Sequence, residues 1–299
     1  MRFLEEMTIW RQNDVAGRRE PPVPEILPPG AGMPAPDAAW RDMPDARPHR
    51  ARPNEGPRSW AAAPATYALV AINVVIYLLM VFDGVSPTGP TSAQLLHWGA
   101  TQHDFVLSGE WWRLITSTFV HIGIIHLATN MWCLWNLGLL GEPLLGAFGM
   151  TAVYLLTGTA GNLLSIAISD PRSVSAGASG AVFGLAGVLI VLLKSKYLPV
   201  PPEELRSLRR SVIYFAVLNF AIGAGSLFLP ASIPKIDNFA HLGGFLLGLA
   251  LGGFLVPKIG AARNRYRRRQ NFVFGGMLLL LLTLAYGIAS YNGVSFPGL

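Results

Sequence analysis

From Ala65 onward the chain alternates long apolar runs with short polar connections. The runs lie near Ala65–Phe82, Phe119–Leu140, Phe148–Ile168, Ala178–Leu193, Val212–Leu229, Phe239–Val256 and Phe272–Ile288. Each approaches the ~20 residues that a helix needs to cross a hydrocarbon core. They are too frequent and too poor in charge for core helices of a water-soluble domain, so the pattern predicts an all-α polytopic membrane protein with seven spans. Residues 1–60 have a different character. Eleven of the 23 prolines fall there, mixed with nine arginines and nine acidic residues. Such a segment cannot bury enough apolar surface to offset its chain entropy, so a disordered tail is expected.

Bulk composition agrees: 52% of the 299 residues are hydrophobic and 13% charged, against about 25% charged in an ordinary soluble domain. A single cysteine, Cys133, rules out an intrachain disulfide and argues against a cysteine-based metal site. No secretory signal is evident in the first 60 residues. The net charge of +6 is not a nucleic-acid signature, because its placement follows the spans. Five basic residues fall between Lys194 and Arg210, and six between Lys258 and Arg269. The alternate connections carry one each (Arg113, Arg172, Lys235). Basic loops stay cytoplasmic, which predicts a cytoplasmic amino terminus and an external carboxyl terminus in the cell (inner) membrane. The connection from Gly141 to Ala147 has no basic residue and is silent on orientation.

Polar side chains inside hydrocarbon are costly and therefore candidates for function. The second run holds His121, His126, Asn130 and Asn136; the fourth opens Gly177-Ala178-Ser179-Gly180; the sixth opens Asn238-Phe239-Ala240-His241. Even-numbered spans run in the same direction, and these groups lie within about two turns of their helix starts, so they share one depth. A serine hydroxyl needs a base, and neutral imidazole is the usual one near neutral pH. His126 and Asn130, four residues apart, share a helix face and supply two donors suited to an oxyanion. Asp237, at or beyond the end of the sixth span, is badly placed for a triad, so a Ser179–His241 dyad is the better reading. Gly244, Gly248 and Gly252 form one stripe below His241, and Gly180, Gly184 and Gly187 form another below Ser179; small stripes let helices approach closely. His121 is expected to brace a loop, and Asn136 to pack helices.

Other chemistries fit less well. A zinc-type His-Glu-x-x-His is absent after His126, and no predicted span holds an acid for an aspartyl site. A small-solute transporter would also use polar groups near glycine-rich helices, but it would not need Ser, His and two oxyanion donors together.

The ordered set Gly109-Glu110-Trp111-Trp112-Arg113, His121-x4-His126-x3-Asn130, Gly177-Ala178-Ser179-Gly180 and Ala240-His241-x2-Gly244-x3-Gly248 resembles the rhomboid family of intramembrane serine proteases. The resemblance covers residues 64–257 as a six-helix core; residues 258–299 add a basic loop and an extra carboxyl-terminal helix. It implies Ser179 as nucleophile, His241 as general base, and His126, Asn130 and the Ser179 N–H as the oxyanion hole. Glu142 matches an acid that braces helices, and Trp111 and Arg113 match a loop at the membrane interface. Phe183 stands where some members carry a tyrosine beside the histidine. The implied substrates are single-span transmembrane proteins cut near the outer face, with no cofactor. A rhomboid relative without activity is the nearest alternative, though such proteins typically lose the serine or the histidine.

Overall fold

A computed structural model of the chain describes residues 63–195, 198, 201–226, 228, 235–256 and 263–294. All of them belong to one unit, Pro57–Leu299. The proline-rich tail expected over residues 1–60 lies outside the described residues. So do residues 257–262, the first part of the basic connection that follows the sixth span.

Four long apolar helices dominate: α1 (Pro64–Phe82), α5 (Ile124–Ile168), α8 (Asn238–Leu255) and α9 (Arg263–Tyr291). Between them come short helices α2 (Ser92–His97), α3 (His103–Leu107) and α4 (Arg113–Thr116), then α6 (Ser179–Leu192) and α7 (Pro202–Ser226). Apart from one bridge between Thr101 and Ser175, the described residues contain no β-structure. The protein is an all-α, multi-pass membrane protein.

Several elements differ from the hydrophobicity reading. Helices α7 and α9 begin at Pro202 and Arg263, not at Val212 and Phe272, so Arg206, Arg209, Arg210 and Arg263–Arg269 lie in helix and not in loops. The second span was expected from Phe119, but the helix starts at Ile124, after Gly123 at φ 105°. Residues 119–122 extend the apolar run because Phe119, Val120 and Ile122 pack inside protein, with Val120 and His121 buried, rather than because they are helical. The connection expected over Gly141–Ala147 is helical up to a single break at Gly146 (φ 73°, ψ 163°). At that residue the chain reverses. Residues 124–145 run away from the loop at 114–118, and residues 147–168 return to it, where Tyr154 donates to the Thr118 carbonyl (3.0 Å) and Asn162 to the Leu114 carbonyl (2.8 Å). Each arm is roughly 33 Å long at 1.5 Å per residue, enough to span.

Polar groups at the far end fasten this turn. Glu142, buried just before Pro143, accepts from the Ala65 N–H (2.9 Å), the Thr66 N–H (2.7 Å) and the Thr66 hydroxyl (2.8 Å). It thereby caps α1, which has no side-chain cap of its own. Breaking the helix at Gly146 frees the Leu145 carbonyl, and buried Gln270 of α9 donates to it at 2.7 Å. Tyr266 and Arg269 of α9 donate to the Leu255 and Val256 carbonyls at the end of α8. The seventh span is therefore tied to the core through backbone groups that helix ends leave unpaired.

Packing of α6 decides the rest. Its 14 residues make roughly 21 Å of helix, short of a ~30 Å hydrocarbon core. The loop that feeds it must descend into the membrane layer, which is tolerable only where protein satisfies its backbone. Here it does: Thr101 and Ser175 exchange both backbone bonds at 2.9 Å, and the Gly177 N–H reaches the Ser117 carbonyl at 2.9 Å. The loop on the other side is organised by Arg113, whose guanidinium binds Glu110 (2.7 Å) and the Leu96 (2.6 Å) and Ala100 (3.0 Å) carbonyls.

Candidate active site

Ser179 is the first residue of α6. The first intrahelical bond runs from the Val182 N–H to the Ala178 carbonyl (3.0 Å). The N–H groups of Ser179, Gly180 and Ala181 precede it and have no partner within the helix. The turn into α6 depends on Gly177, at φ 135°. A Cβ there would also stand 2.5 Å from Cε1 and 2.9 Å from Nε2 of His126. Gly177 is thus required twice, by its backbone angle and by the imidazole pressed on it.

His126 accepts the Ile122 N–H at Nδ1 (3.4 Å). In a neutral ring that leaves Nε2 as the N–H donor, on the edge that faces Gly177, two residues before Ser179. His121 is fully buried and serves the loop: one nitrogen bonds the Phe119 carbonyl (3.2 Å) and the other receives the Ala178 N–H (3.4 Å). Asn130 is less well aimed than expected. Its amide donates to the His126 carbonyl one turn back (2.9 Å), a common habit of polar side chains in apolar helices, and one amide hydrogen stays available. Asn136 likewise turns to its own helix, at the Trp132 carbonyl (2.7 Å), and not to a neighbour as expected.

His241 is reached through helix contact. Helices α6 and α8 meet backbone to backbone. A Cβ on Gly244 would fall on the Gly180 carbonyl oxygen, and one on Gly248 on the Gly184 carbonyl oxygen. At the top of the contact, a Cβ on Gly180 would lie 3.2 Å from the Ala240 carbonyl. So Ser179-Gly180 and Ala240-His241 stand side by side. Phe183, one turn below Ser179, stacks on the His241 ring with centroids 4.2 Å apart and planes at 18°. Phe220 of α7 packs against Phe183 (4.6 Å) and meets the His241 ring edge-on at 6.2 Å. Two glycines of the neighbouring α5–α8 contact were not picked out from the sequence. Gly161 of α5 would meet the Ala240 carbonyl, and Gly243 would meet Ala160. The spacing Gly158-x2-Gly161 was the available signal.

Asp237 is committed elsewhere. It is the N-cap of α8, one oxygen accepting the Ala240 N–H (2.9 Å) and the other the Ser165 hydroxyl (2.6 Å). This capping role explains its position at the start of α8.

The family model for the rhomboid domain matches residues 108–258, which include every group just described. The chain belongs to the rhomboid family. It is 33% identical over 231 residues to rhomboid protease GluP of Bacillus subtilis (strain 168), covering 76% of this chain and 40% of that protein. It is 30% identical over 261 residues to RHOMBOID-like protein 6, mitochondrial, of Arabidopsis thaliana, covering 78% of this chain and 80% of the relative. RHOMBOID-like protein 5 of the same plant is 35% identical over 60% of this chain and 55% of its own length.

Proposed function

We propose that the protein is an intramembrane serine endopeptidase that cuts single-span transmembrane substrates near the outer face of the bilayer. The observation that carries this reading is the α6–α8 backbone contact, which sets the start of the serine helix beside His241 with Phe183 stacked on the ring. The similarity to a bacterial rhomboid protease supports the same class of reaction.

In this reading Ser179 Oγ attacks the scissile carbonyl carbon while His241 accepts the hydroxyl proton. The negative charge that forms on the carbonyl oxygen is met by the Nε2–H of His126, the free amide hydrogen of Asn130 and the unpaired N–H of Ser179. Asn130 must turn from the His126 carbonyl or use its second hydrogen to contribute. Collapse of the intermediate breaks the C–N bond, and His241 gives its proton to the leaving amine. Water, deprotonated by His241, then hydrolyses the acyl-enzyme and restores Ser179. Phe183 and Phe220 hold the ring by stacking and edge contact, tasks that need no hydroxyl. The basic connections support a cytoplasmic amino terminus, with the site opening to the outside.

The test is cleavage of a single-span substrate in proteoliposomes. Wild type should produce one discrete cut. Ser179→Ala and His241→Ala should yield none while remaining folded. Ser175→Ala, whose backbone alone braces the loop, should keep activity. Activity that requires Ser175 and survives Ser179→Ala would overturn the assignment.

A further inference from the structure

Resting on the dyad reading, we infer that Asn238 is a positioning residue, whose Oδ1 accepts the Nδ1–H of His241, directly or across one water. Among the described residues, two buried side-chain atoms make no hydrogen bond: Nδ1 of His241 and Oδ1 of Asn238. They are complementary. A base that takes a proton from serine through Nε2 must, when neutral, carry its own hydrogen on Nδ1. Left unpaired in a buried site, that hydrogen would favour the other tautomer, in which Nε2 has no lone pair to offer. An amide oxygen can only accept.

Placement supports the pairing. Asn238 and His241 are three residues apart and so neighbours on one face of α8. Both side chains lean on α7. A Cβ on Gly223 would fall on Oδ1 of Asn238, and His241 meets Phe220, one turn away from Gly223. Gly223 thus leaves the space that the Asn238 amide fills. The other acceptors at this end of α8 are engaged. Asp237 holds the Ala240 N–H and the Ser165 hydroxyl, and the Ser226 hydroxyl donates to the Gly223 carbonyl (2.6 Å) while accepting the Ile236 N–H (3.1 Å). Oδ1 rests against Gly223, so a turn of the amide about its last torsion, or one bridging water, completes the bond. With Phe183 fixing the ring plane and Asn238 fixing the hydrogen, Nε2 is left as the base.

The experiment combines tautomer and kinetics. In ¹⁵N-histidine-labelled enzyme in detergent, with His241 assigned by difference from His241→Gln, the neutral ring should show a protonated Nδ1 and a bare Nε2. Asn238→Ala should shift the ring toward the Nε2–H tautomer and lower kcat roughly tenfold or more, short of the ~10⁴ lost when a triad acid is replaced. KM should change less than twofold. Asn238→Asp, which keeps an acceptor of the same shape, should restore the Nδ1–H form and most of kcat. A wild-type ring protonated on Nε2 would overturn the inference even if no variant folds. So would Asn238→Ala with unchanged kcat and tautomer. Neither result touches the dyad, which fails only if Ser179→Ala or His241→Ala remains active in the same assay.

Discussion

Replacing Gly244 with valine is the sharpest test of how helix packing sets the chemistry. Gly244 takes no part in the reaction, yet a Cβ placed there would stand 2.8 Å from the Gly180 carbonyl carbon and 3.2 Å from its Cα, with the carbonyl oxygen nearer still. These are backbone atoms one residue from Ser179, and they cannot swing aside as a side chain would. Helices α6 and α8 must part at the level of the dyad. Overpacking of this kind costs ~1–3 kcal/mol of stability. A shift of about 1 Å at a reacting centre lowers turnover on the order of 10²-fold, because proton transfer from Ser179 to His241 needs heavy atoms ~2.6–3.2 Å apart. The assay is kcat on a fluorogenic transmembrane substrate in detergent, with thermal unfolding of the same samples. Gly253→Val is the control, since a Cβ there meets nothing within 4 Å. Gly248→Val meets the Gly184 carbonyl one turn farther from the site; it should lower stability comparably and kcat less. A Gly244→Val enzyme with wild-type kcat would break the link between stripe and dyad. Equal losses at Gly244 and Gly253 would do the same.

Three other outcomes follow from the same geometry. His126→Ala and Asn130→Ala should each lower kcat by ~10²–10³ with KM nearly unchanged; single-turnover kinetics that found a pure affinity loss at both would remove the oxyanion role. Glu142→Ala leaves the buried Ala65 and Thr66 N–H groups unpaired, so thermal unfolding should record a loss of about 1–3 kcal/mol per orphaned group, with activity per folded molecule retained. A reporter fused after Leu299 should be active only if it functions outside the cell; a cytoplasmic signal would mean an even number of crossings.

The spans were legible because lipid demands long apolar runs, and the site because polar residues stand out against them. Ser179 and His241 were picked out as polar groups at one depth, and the facing glycines Gly180, Gly184, Gly244 and Gly248 by their spacing. What spacing did not reveal depended on partners remote in sequence. Glu142 reads as a charge at a membrane edge until Ala65 and Thr66 are seen beneath it. With that cap in place the helix continues to Gly146, so no loop forms at Gly141. The run from Phe119 to Ile122 reads as helix because hydrophobicity reports burial, not backbone conformation. Asn130 was read as aimed at the oxyanion because it shares a face with His126. The His126 carbonyl on that face is an equally near acceptor, and the amide takes it. Asn238 was given no role beside His241, since its meaning depends on Gly223 of another helix.

The central claim is that Ser179 is a nucleophile activated within the membrane layer. It is tested most directly by labelling the purified protein with a fluorophosphonate and mapping the adduct by mass spectrometry. The account predicts one modified peptide, with the label on Ser179, lost in Ser179→Ala, strongly reduced in His241→Ala and unaffected in Ser175→Ala. A label on any other serine, or undiminished labelling of Ser179→Ala, would contradict it.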